Sequence, residues 1–404
     1  MTVLEMIYTA GFSAYLHGFG AIDSWLGGKT GNIIHILTNA DVPDLARLFE
    51  DLRYPGIDIA DAALDSHGDK NETWYFLCAG SFNDNRPSSN LLKFYQDCKS
   101  RVFYDPCGIY PLLAGIRDGI RKPQKIDIET LINPPEIFRQ CINSGFDRCR
   151  SLMDAALILS KYFPAADSGA EKYIKETAEI FYNLREGSAP AQEEQRILLS
   201  ALMASPNPGL GFELLKISGF VEKYWPELAI LEQADHSKEF HPEGNAWEHT
   251  METFRHRKPG SCDLRLSLGL LLHDAGKPIA VSAGSRRFDG HAELGEVQAR
   301  RFLERLGFDA SIIRDVCFLV RNHMLPAALP RLPFYRTERI MTSPLFPLLL
   351  ELYRCDESSS FKGLDGYYES SAAYQSFLRN RRNPYRSADG KKLNNRQTGG
   401  TAQV

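Results

Sequence analysis

Apolar and polar residues follow two different rhythms along the chain, and the change of rhythm divides it. In the first quarter, stretches with strand character at residues 32–37 and 73–77 accompany an amphipathic helical stretch at residues 42–52. Polar stretches at residues 65–72 and 83–90 are predicted to be loops. This part is therefore predicted to be a small mixed α/β unit.

From about residue 136 onward, the apolar residues recur at helical spacing, for example over residues 151–162, 170–184 and 193–203. Pro123 and the pair Pro134-Pro135 mark the exit from the first unit. The predicted fold class is α+β, with a small mixed α/β head followed by a mostly α-helical neck and a helical domain. The predicted boundaries are 1–125 for the head, 126–230 for the neck, 231–370 for the helical domain and 371–404 for a tail.

One apolar helical run ends on two residues that carry chemistry, His273 and Asp274, in the segment LLLHDAGKP at residues 270–278. Imidazole and carboxylate groups together bind divalent transition metals well. Four further candidates lie on or beside apolar-periodic segments: His249, His291, His323 and Asp356. Their placement predicts inward-facing metal ligands on a helical bundle, and the alternative is that they are hydrogen-bonded structural residues.

The order His, His-Asp, His, His, Asp resembles that of the HD-domain metal-dependent phosphohydrolases. The resemblance implies that a first metal is bound by His249, His273, Asp274 and Asp356. It implies a second metal at His291 and His323, with Asp274 bridging the two. The implied chemistry is hydrolysis of phosphate esters by one or two divalent ions (Mn, Ni, Co, Fe or Mg), with no other cofactor. Asp274 and Lys277 are the predicted catalytic residues, and Lys277 is the candidate phosphate contact.

Further segments resemble the HD domain of bacterial CCA-adding tRNA nucleotidyltransferases and the related poly(A) polymerases. These segments are PEL at residues 226–228, HPEGNAWEH at 241–249 and RFDGHAELG at 287–295. The resemblance covers roughly residues 190–360. It implies that the α/β head is a nucleotidyltransferase head, with a Gly-Gly turn for triphosphate and two carboxylates for two magnesium ions.

The head departs from that family pattern at the residues that matter for chemistry. In AYLHGFGAIDSWLG at residues 14–27, Phe19 replaces the second glycine and Ile22 replaces an arginine. In IIHILTNA at residues 33–40, the two carboxylate positions are Ile33 and His35. Isoleucine cannot coordinate magnesium, and imidazole does so poorly. We therefore predict that the head keeps its fold and has lost its polymerase chemistry.

Composition adds modest limits. The formal net charge of −4 does not require a nucleic-acid partner, and no apolar run approaches membrane-spanning length. The 8 cysteines show no Cys-x-x-Cys spacing, which indicates free thiols in a reducing cytoplasm. The tail from residue 371 is predicted to be disordered, and its basic residues are possible RNA contacts, although a solvated terminus is the alternative. These residues are Arg379, Arg381, Arg382, Arg386, Lys391, Lys392 and Arg396.

The favoured function is a cytoplasmic metal-dependent phosphohydrolase, a phosphomonoesterase or cyclic phosphodiesterase, with nucleotidyltransferase activity lost. Its expected substrate is a nucleotide or RNA-end phosphate. One alternative is an RNA-binding or regulatory protein with a structural metal site, and a second alternative is a CCA-adding tRNA nucleotidyltransferase. The sequence leaves the substrate, the metal and the oligomeric state open.

Overall fold

The computed structural model describes fourteen stretches of the chain. They are residues 1–27, 32–55, 60–67, 71–78, 92–104, 148–163, 170–182, 188–235, 244–258, 263–284, 288–360, 363–383, 385–387 and 389–392. The chain divides into two compact units. The first comprises residues 1–199 with 213–218, and the second comprises residues 200–212 with 219–404.

The first unit contains a mixed sheet with flanking helices. Its elements in chain order are α1 (Val3–Thr9), β1 (Ala14–His17), α2 (Phe19–Trp25), β2 (Ile33–Thr38), α3 (Val42–Leu48), β3 (Ala62–His67), β4 (Asn71–Cys78), β5 (Tyr95–Asp97) and β6 (Phe103–Tyr104). Within the described residues the strand order is β3-β4-β2-β1-β5-β6. Strands β2 and β4 pair in parallel, and the other neighbours pair antiparallel.

Alternation along β2 explains why this sheet forms. Ile34 and Ile36 point to one face and pack in a core with Phe76 and Leu45 of α3. Leu37 points to the other face and packs against a second, aromatic cluster that includes Tyr95. Because both faces bury apolar side chains, a shift of one residue would exchange the two sets, and the register is therefore strongly specified.

Three longer helices follow the sheet: α4 (Arg148–Tyr162), α5 (Ala170–Tyr182) and α6 (Gln192–Ala204), and residues 200–204 of α6 belong to the second unit. Helix α4 lies against α2, and two hydrogen bonds join them. Asp23 of α2 accepts from Lys161 Nζ at 3.1 Å and from the Tyr162 hydroxyl at 2.7 Å, both on α4. Arg150 of α4 donates two hydrogen bonds to Glu194 of α6, at 3.0 and 2.9 Å. Paired Arg–carboxylate bonds of this kind fix orientation as well as distance.

The described secondary structure that follows is helical. It comprises α7 (Pro208–Ile217), α8 (Phe220–Tyr224), α9 (Pro226–Ala229), α10 (Ala246–Arg255), α11 (Leu264–Leu272), α12 (Lys277–Ser282), α13 (His291–Arg305), α14 (Ala310–Asn322), α15 (Leu325–Ala328), α16 (Phe334–Met341), α17 (Phe346–Ser358) and α18 (Asp365–Arg382), with short 3₁₀ turns at Ile230–Gln233 and Leu329–Arg331.

Helix α11 is the centre of the second unit, where it packs against α10, α14 and α17. Gly269 makes the close approach possible. A Cβ atom at Gly269 would lie 3.0 Å from Leu352 Cδ1 on α17 and 3.1 Å from Leu319 Cδ1 on α14. Each neighbouring helix contributes a candidate ligand, so this packing brings distant parts of the chain to the end of α11.

The α+β class and the helical character of the C-terminal part are confirmed. Two local predictions are wrong. Residues 65–72, expected as a loop, include the end of β3 and the start of β4. The polar Asp65 can lie on a strand because the side chains of Arg53 and Thr73 donate hydrogen bonds to its carboxylate. Residues 371–382, expected as disordered tail, belong to α18, whose Phe377 packs on Phe334.

The polar loop predicted at residues 83–90, the prolines at the exit of the head and Arg396 lie outside the described residues. The four-part division of the chain stays a prediction. No helix among the described residues is long and apolar enough to cross a membrane.

Candidate metal centre

The His-Asp pair lies at the buried end of α11. The helix starts at Asp263, whose side chain accepts a hydrogen bond from Arg265 N at 2.9 Å, and its residues from Leu266 to its end are buried. His273 and Asp274 are each only 1% exposed. Burying a carboxylate is costly unless positive or hydrogen-bonding groups surround it. The groups around Asp274 therefore determine what this site can do.

All six predicted ligands meet there. Asp274 Oδ2 lies 3.3 Å from His273 Nε2 and 3.8 Å from His249 Nε2 of α10. Asp274 Oδ1 lies 3.8 Å from His291 Nε2 at the start of α13 and 4.0 Å from His323 Nε2 after α14. The sixth group, Asp356 of α17, places its Oδ1 2.9 Å from His249 Nε2 and 3.8 Å from His273 Nε2.

The orientation of three imidazoles is fixed by backbone carbonyls. Nδ1 lies 2.8 Å from Leu270 O in His273, 2.8 Å from Phe288 O in His291 and 2.7 Å from Val320 O in His323. A carbonyl oxygen only accepts, so each Nδ1 carries the proton and donates it. In the neutral ring each Nε2 then aims a lone pair into the site, which is the arrangement of metal-bound histidines.

One short contact between two imidazoles shows where a positive charge would fit. His291 Nε2 and His323 Nε2 are 3.0 Å apart, although both present lone pairs when neutral. Burial lowers the pKa of His323 to about 4 and also lowers the pKa of His291, so near neutral pH both rings lack the second proton. A cation between the two nitrogen atoms would remove this repulsion.

The carboxylates are ionised in the same site. Burial opposes ionisation of Asp274, but the nearby His273 and Lys277 outweigh it and hold the pKa well below its ordinary value. Burial likewise opposes ionisation of Asp356, while its hydrogen bond with His249 Nε2 and the electrostatic effect of His273 lower its pKa. An ionised carboxylate is the protonation state that a divalent metal requires of this ligand type.

The donors form two groups that share Asp274. One contains His249 and His273, the other contains His291 and His323, and within each group the ligand atoms lie within 4.8 Å of one another. A mixture of imidazole and carboxylate ligands suits Mn, Fe, Co or Ni, whereas magnesium prefers sites in which all the ligands are oxygen atoms. The residues present therefore fit one or two divalent transition ions, which would supply positive charge to a bound phosphate.

Lys277 lies beside Asp274 at the site, where the sequence predicts it. It begins α12, and its Nζ lies 2.6 Å from Asp274 Oδ2, so in this structure its partner is the carboxylate itself. It also lines the cavity at the site, and a phosphate contact by Lys277 stays a prediction. The cavity is lined by His249, Asp274, Lys277, Phe288, His291, His323, Met324, Ala327, Tyr353, Asp356, Glu357 and Ser360.

Gly276 is a residue of the site that sequence reasoning did not identify. A Cβ atom there would lie 2.0 Å from His291 O and 2.5 Å from Gly295 N, both in backbone. Only glycine lets the start of α12 approach the start of α13 this closely. The signal available in the sequence is its position in the short segment between the His-Asp pair and Lys277.

Positions 33 and 35 of the head are those at which the family resemblance implies magnesium ligands. On β2, Ile33 is 59% exposed, and His35 stacks on Tyr75 with ring centroids 5.2 Å apart. Burial lowers the pKa of His35, which favours the neutral ring. These two positions therefore offer one apolar group and one stacked imidazole, and neither is a carboxylate.

Comparison with known proteins identifies the C-terminal region. Residues 247–349 match the HD domain family. The CC-adding tRNA nucleotidyltransferase of Thermus thermophilus is 37% identical over 142 residues, which are 33% of this chain and 32% of that protein. The multifunctional CCA protein of Halorhodospira halophila is 33% identical over 123 residues, which are 30% of this chain and 29% of that protein. The matches thus span about a third of the length of these relatives.

Solved structures give a weaker likeness. The CCA-adding enzyme of Bacillus stearothermophilus in complex with CTP aligns over 93% of this chain and 81% of that chain, with 14% identity and a TM-score of 0.46. The predicted HD domain and the homology to CCA-adding tRNA nucleotidyltransferases are confirmed by the family match and the sequence relatives.

The favoured function is wrong. A phosphohydrolase without nucleotidyl transfer disagrees with the relatives that match the sequence, a CC-adding tRNA nucleotidyltransferase and a multifunctional CCA protein, which agree with the second alternative. The physical reason for the error is that the HD ligands define a metal site and do not by themselves define a reaction.

Proposed function

We propose that this HD-domain chain is an enzyme of the CCA-adding type, a nucleotidyltransferase that acts on the 3′ end of tRNA. The observation that carries the proposal is the 37% identity to a CC-adding tRNA nucleotidyltransferase over 142 residues. The expected substrates are therefore tRNA and a nucleoside triphosphate. The six HD residues are proposed to hold divalent ions in a separate metal centre.

The proposal makes a specific demand on the head. Nucleotidyl transfer needs carboxylates for its magnesium ions, and positions 33 and 35 provide none. Three acids lie on strands of the described sheet, namely Asp65, Glu72 and Asp97, and two of them accept hydrogen bonds. Asp65 accepts from Arg53 and Thr73, and Asp97 accepts from the backbone N–H groups of Lys99 and Ser100. Transfer would require one of them to exchange these bonds for a metal, or would require acids from other parts of the head.

This demand favours a second candidate, a protein that binds tRNA without extending it. Ile33 and His35 are the observation that supports this candidate. Binding would use positive charge rather than bound magnesium, and the C-terminal end of α18 offers Arg379, Arg381 and Arg382. Contacts between arginine and phosphate give affinity without sequence preference.

One experiment separates the two candidates. The full-length protein is incubated with tRNA that lacks its terminal CCA, with labelled CTP or ATP and with magnesium or manganese, and binding of the same tRNA is measured by gel shift. We expect CMP incorporation by the wild type. Binding without incorporation would replace the first candidate by the second, and absence of both would overturn both.

A matched pair of variants places any activity. Asp97→Asn removes a head carboxylate, and Asp274→Asn removes the central carboxylate of the HD metal centre. If the head performs transfer with Asp97, only the first variant should lose CMP incorporation, whereas metal content should fall only in the second. Loss of incorporation in Asp274→Asn alone would contradict the separation of the two sites.

A further inference from the structure

Phe288 has an unusual backbone beside the metal centre. Its φ angle is 56°, in the left-handed region that aromatic residues rarely adopt. This conformation directs its carbonyl oxygen at α13, where it accepts hydrogen bonds from His291 N at 3.0 Å and from His291 Nδ1 at 2.8 Å. Strain of this kind persists where the surrounding structure requires it, often at a functional site.

The side chain of Phe288 faces a different member of the site. Lys277 Nζ lies 5.4 Å from the centroid of the Phe288 ring, within the range of a cation–π contact. The same Nζ lies 2.6 Å from Asp274 Oδ2. The lysine side chain is 13% exposed, so water screens these contacts little. The ammonium therefore has two favourable neighbours, one carboxylate and one aromatic face.

The carboxylate neighbour is also the one that a metal would need. Asp274 Oδ2 faces His273 Nε2 at 3.3 Å and His249 Nε2 at 3.8 Å, which is the first of the two donor groups. An ammonium and a divalent ion on the same buried oxygen repel each other strongly. A metal ion in this group therefore requires Lys277 to withdraw from Asp274, and the ring of Phe288 lies next to it.

We propose that Phe288 is a positioning residue whose aromatic ring holds the Lys277 ammonium away from Asp274 when a divalent ion binds. The backbone carbonyl and the ring of this residue then serve opposite sides of the centre, since the carbonyl orients His291 and the ring accommodates Lys277. The proposal rests on the metal centre and is independent of the tRNA reaction proposed above.

The test is a double-mutant cycle on manganese affinity, measured by calorimetry on the full-length metal-free protein. Phe288→Leu keeps an apolar side chain but removes the π face, and it should weaken Mn²⁺ binding about fivefold, as loss of a partly buried cation–π contact predicts. Phe288→Tyr keeps the π face and is the matched control, with affinity close to that of the wild type. Lys277→Met removes the competing charge and should tighten Mn²⁺ binding.

The decisive measurement is the double variant Lys277→Met, Phe288→Leu. Without the Lys277 ammonium the ring has no cation to contact. The Mn²⁺ affinity of the double variant should therefore equal that of Lys277→Met. An equal loss from Phe288→Leu with and without Lys277 would overturn the proposal and leave Phe288 a packing residue. A wild type that binds no Mn²⁺, Co²⁺ or Ni²⁺ would overturn it together with the metal centre, whereas failure of tRNA extension alone would leave it intact.

Discussion

The head sheet and the HD domain differ in how their apolar packing is combined with candidate metal ligands. The head has a complete apolar pattern, with Ile34 and Ile36 on one face of β2 and Leu37 on the other, but Ile33 and His35 stand where the family resemblance leads us to expect carboxylates. The HD domain keeps both its packing and its polar groups, and it brings six of them into one buried site.

The difference teaches that a fold and its chemistry depend on separate residues. Many apolar contacts share the stabilisation of the sheet, so the exposed Ile33 and the half-buried His35 are tolerated on β2. Buried ionised groups are costly on their own, so a cluster such as Asp274, Asp356 and their histidines needs compensating positive charge. Lys277 supplies one such charge at Asp274, and a divalent ion would supply more.

Removal of a central ligand should have the largest effect. His273→Ala should abolish metal binding by the donor group that contains His249 and His273 and lower the content of bound transition metal, because Nε2 of this residue faces both Asp274 and Asp356. Metal content is measured by elemental analysis of protein purified without chelators. His256→Ala removes a histidine at the end of α10 outside the centre and is the matched control. Equal metal content in the two variants would show that the cluster is not the metal site.

The close approach beside the centre should show the next largest effect. Gly276→Ala places a Cβ atom 2.0 Å from the His291 carbonyl oxygen, and backbone cannot yield as a side chain can. We expect the free energy of unfolding to fall by about 3 kcal/mol or more, as measured by urea denaturation. Gly209→Ala, whose Cβ would make an ordinary 3.5 Å contact with Met251 O, is the control and should be near neutral. A neutral Gly276→Ala would mean that α12 and α13 are farther apart.

Histidines with lowered pKa values in both regions predict a common dependence of stability on pH. Burial lowers the pKa of His323 from 6.5 to about 4 in the HD domain, and that of His17 from 6.5 to about 3 in the head. Between the ordinary and the lowered pKa the unfolded chain binds more protons, so stability falls as the pH falls through this window. The carboxylates of Asp274 and Asp356, whose pKa values are lowered, lose their contribution only at more acid pH.

The pH prediction is tested on metal-free protein by urea unfolding at several pH values from 7.5 to about 4.5. His323→Gln removes the titrating group. It should abolish most of the fall in the free energy of unfolding that His323 causes on acidification, which is about 3 kcal/mol. His17→Gln should reduce the loss of stability on acidification only in the unit that contains the sheet. Stability that rises on acidification would contradict both assignments.

Parts of this molecule were predictable from sequence because local pattern and local structure agree. The run that ends at His273 and Asp274 is apolar, helical and buried, as its pattern indicates. Strand β3 was not predicted, because Asp65 appears polar in sequence and is satisfied only by residues that folding brings close. The roles of Gly276 and Phe288 depend on a backbone approach and on a left-handed φ angle, and no periodicity reports either of them.

The smallest expected effect concerns Ile33. Its side chain is 59% exposed, so little apolar area leaves water there, and Ile33→Asp should change the free energy of unfolding by only about 0.5 kcal/mol. His35→Asp should cost about 1 kcal/mol or more, because it removes the stacking on Tyr75 and places a charge in a half-buried position. Denaturation curves of the two single variants measure both effects. A large loss from Ile33→Asp would show that packing requires the isoleucine. A negligible loss would mean that the fold does not exclude a carboxylate at position 33, so its absence there reflects the chemistry of the head rather than its stability.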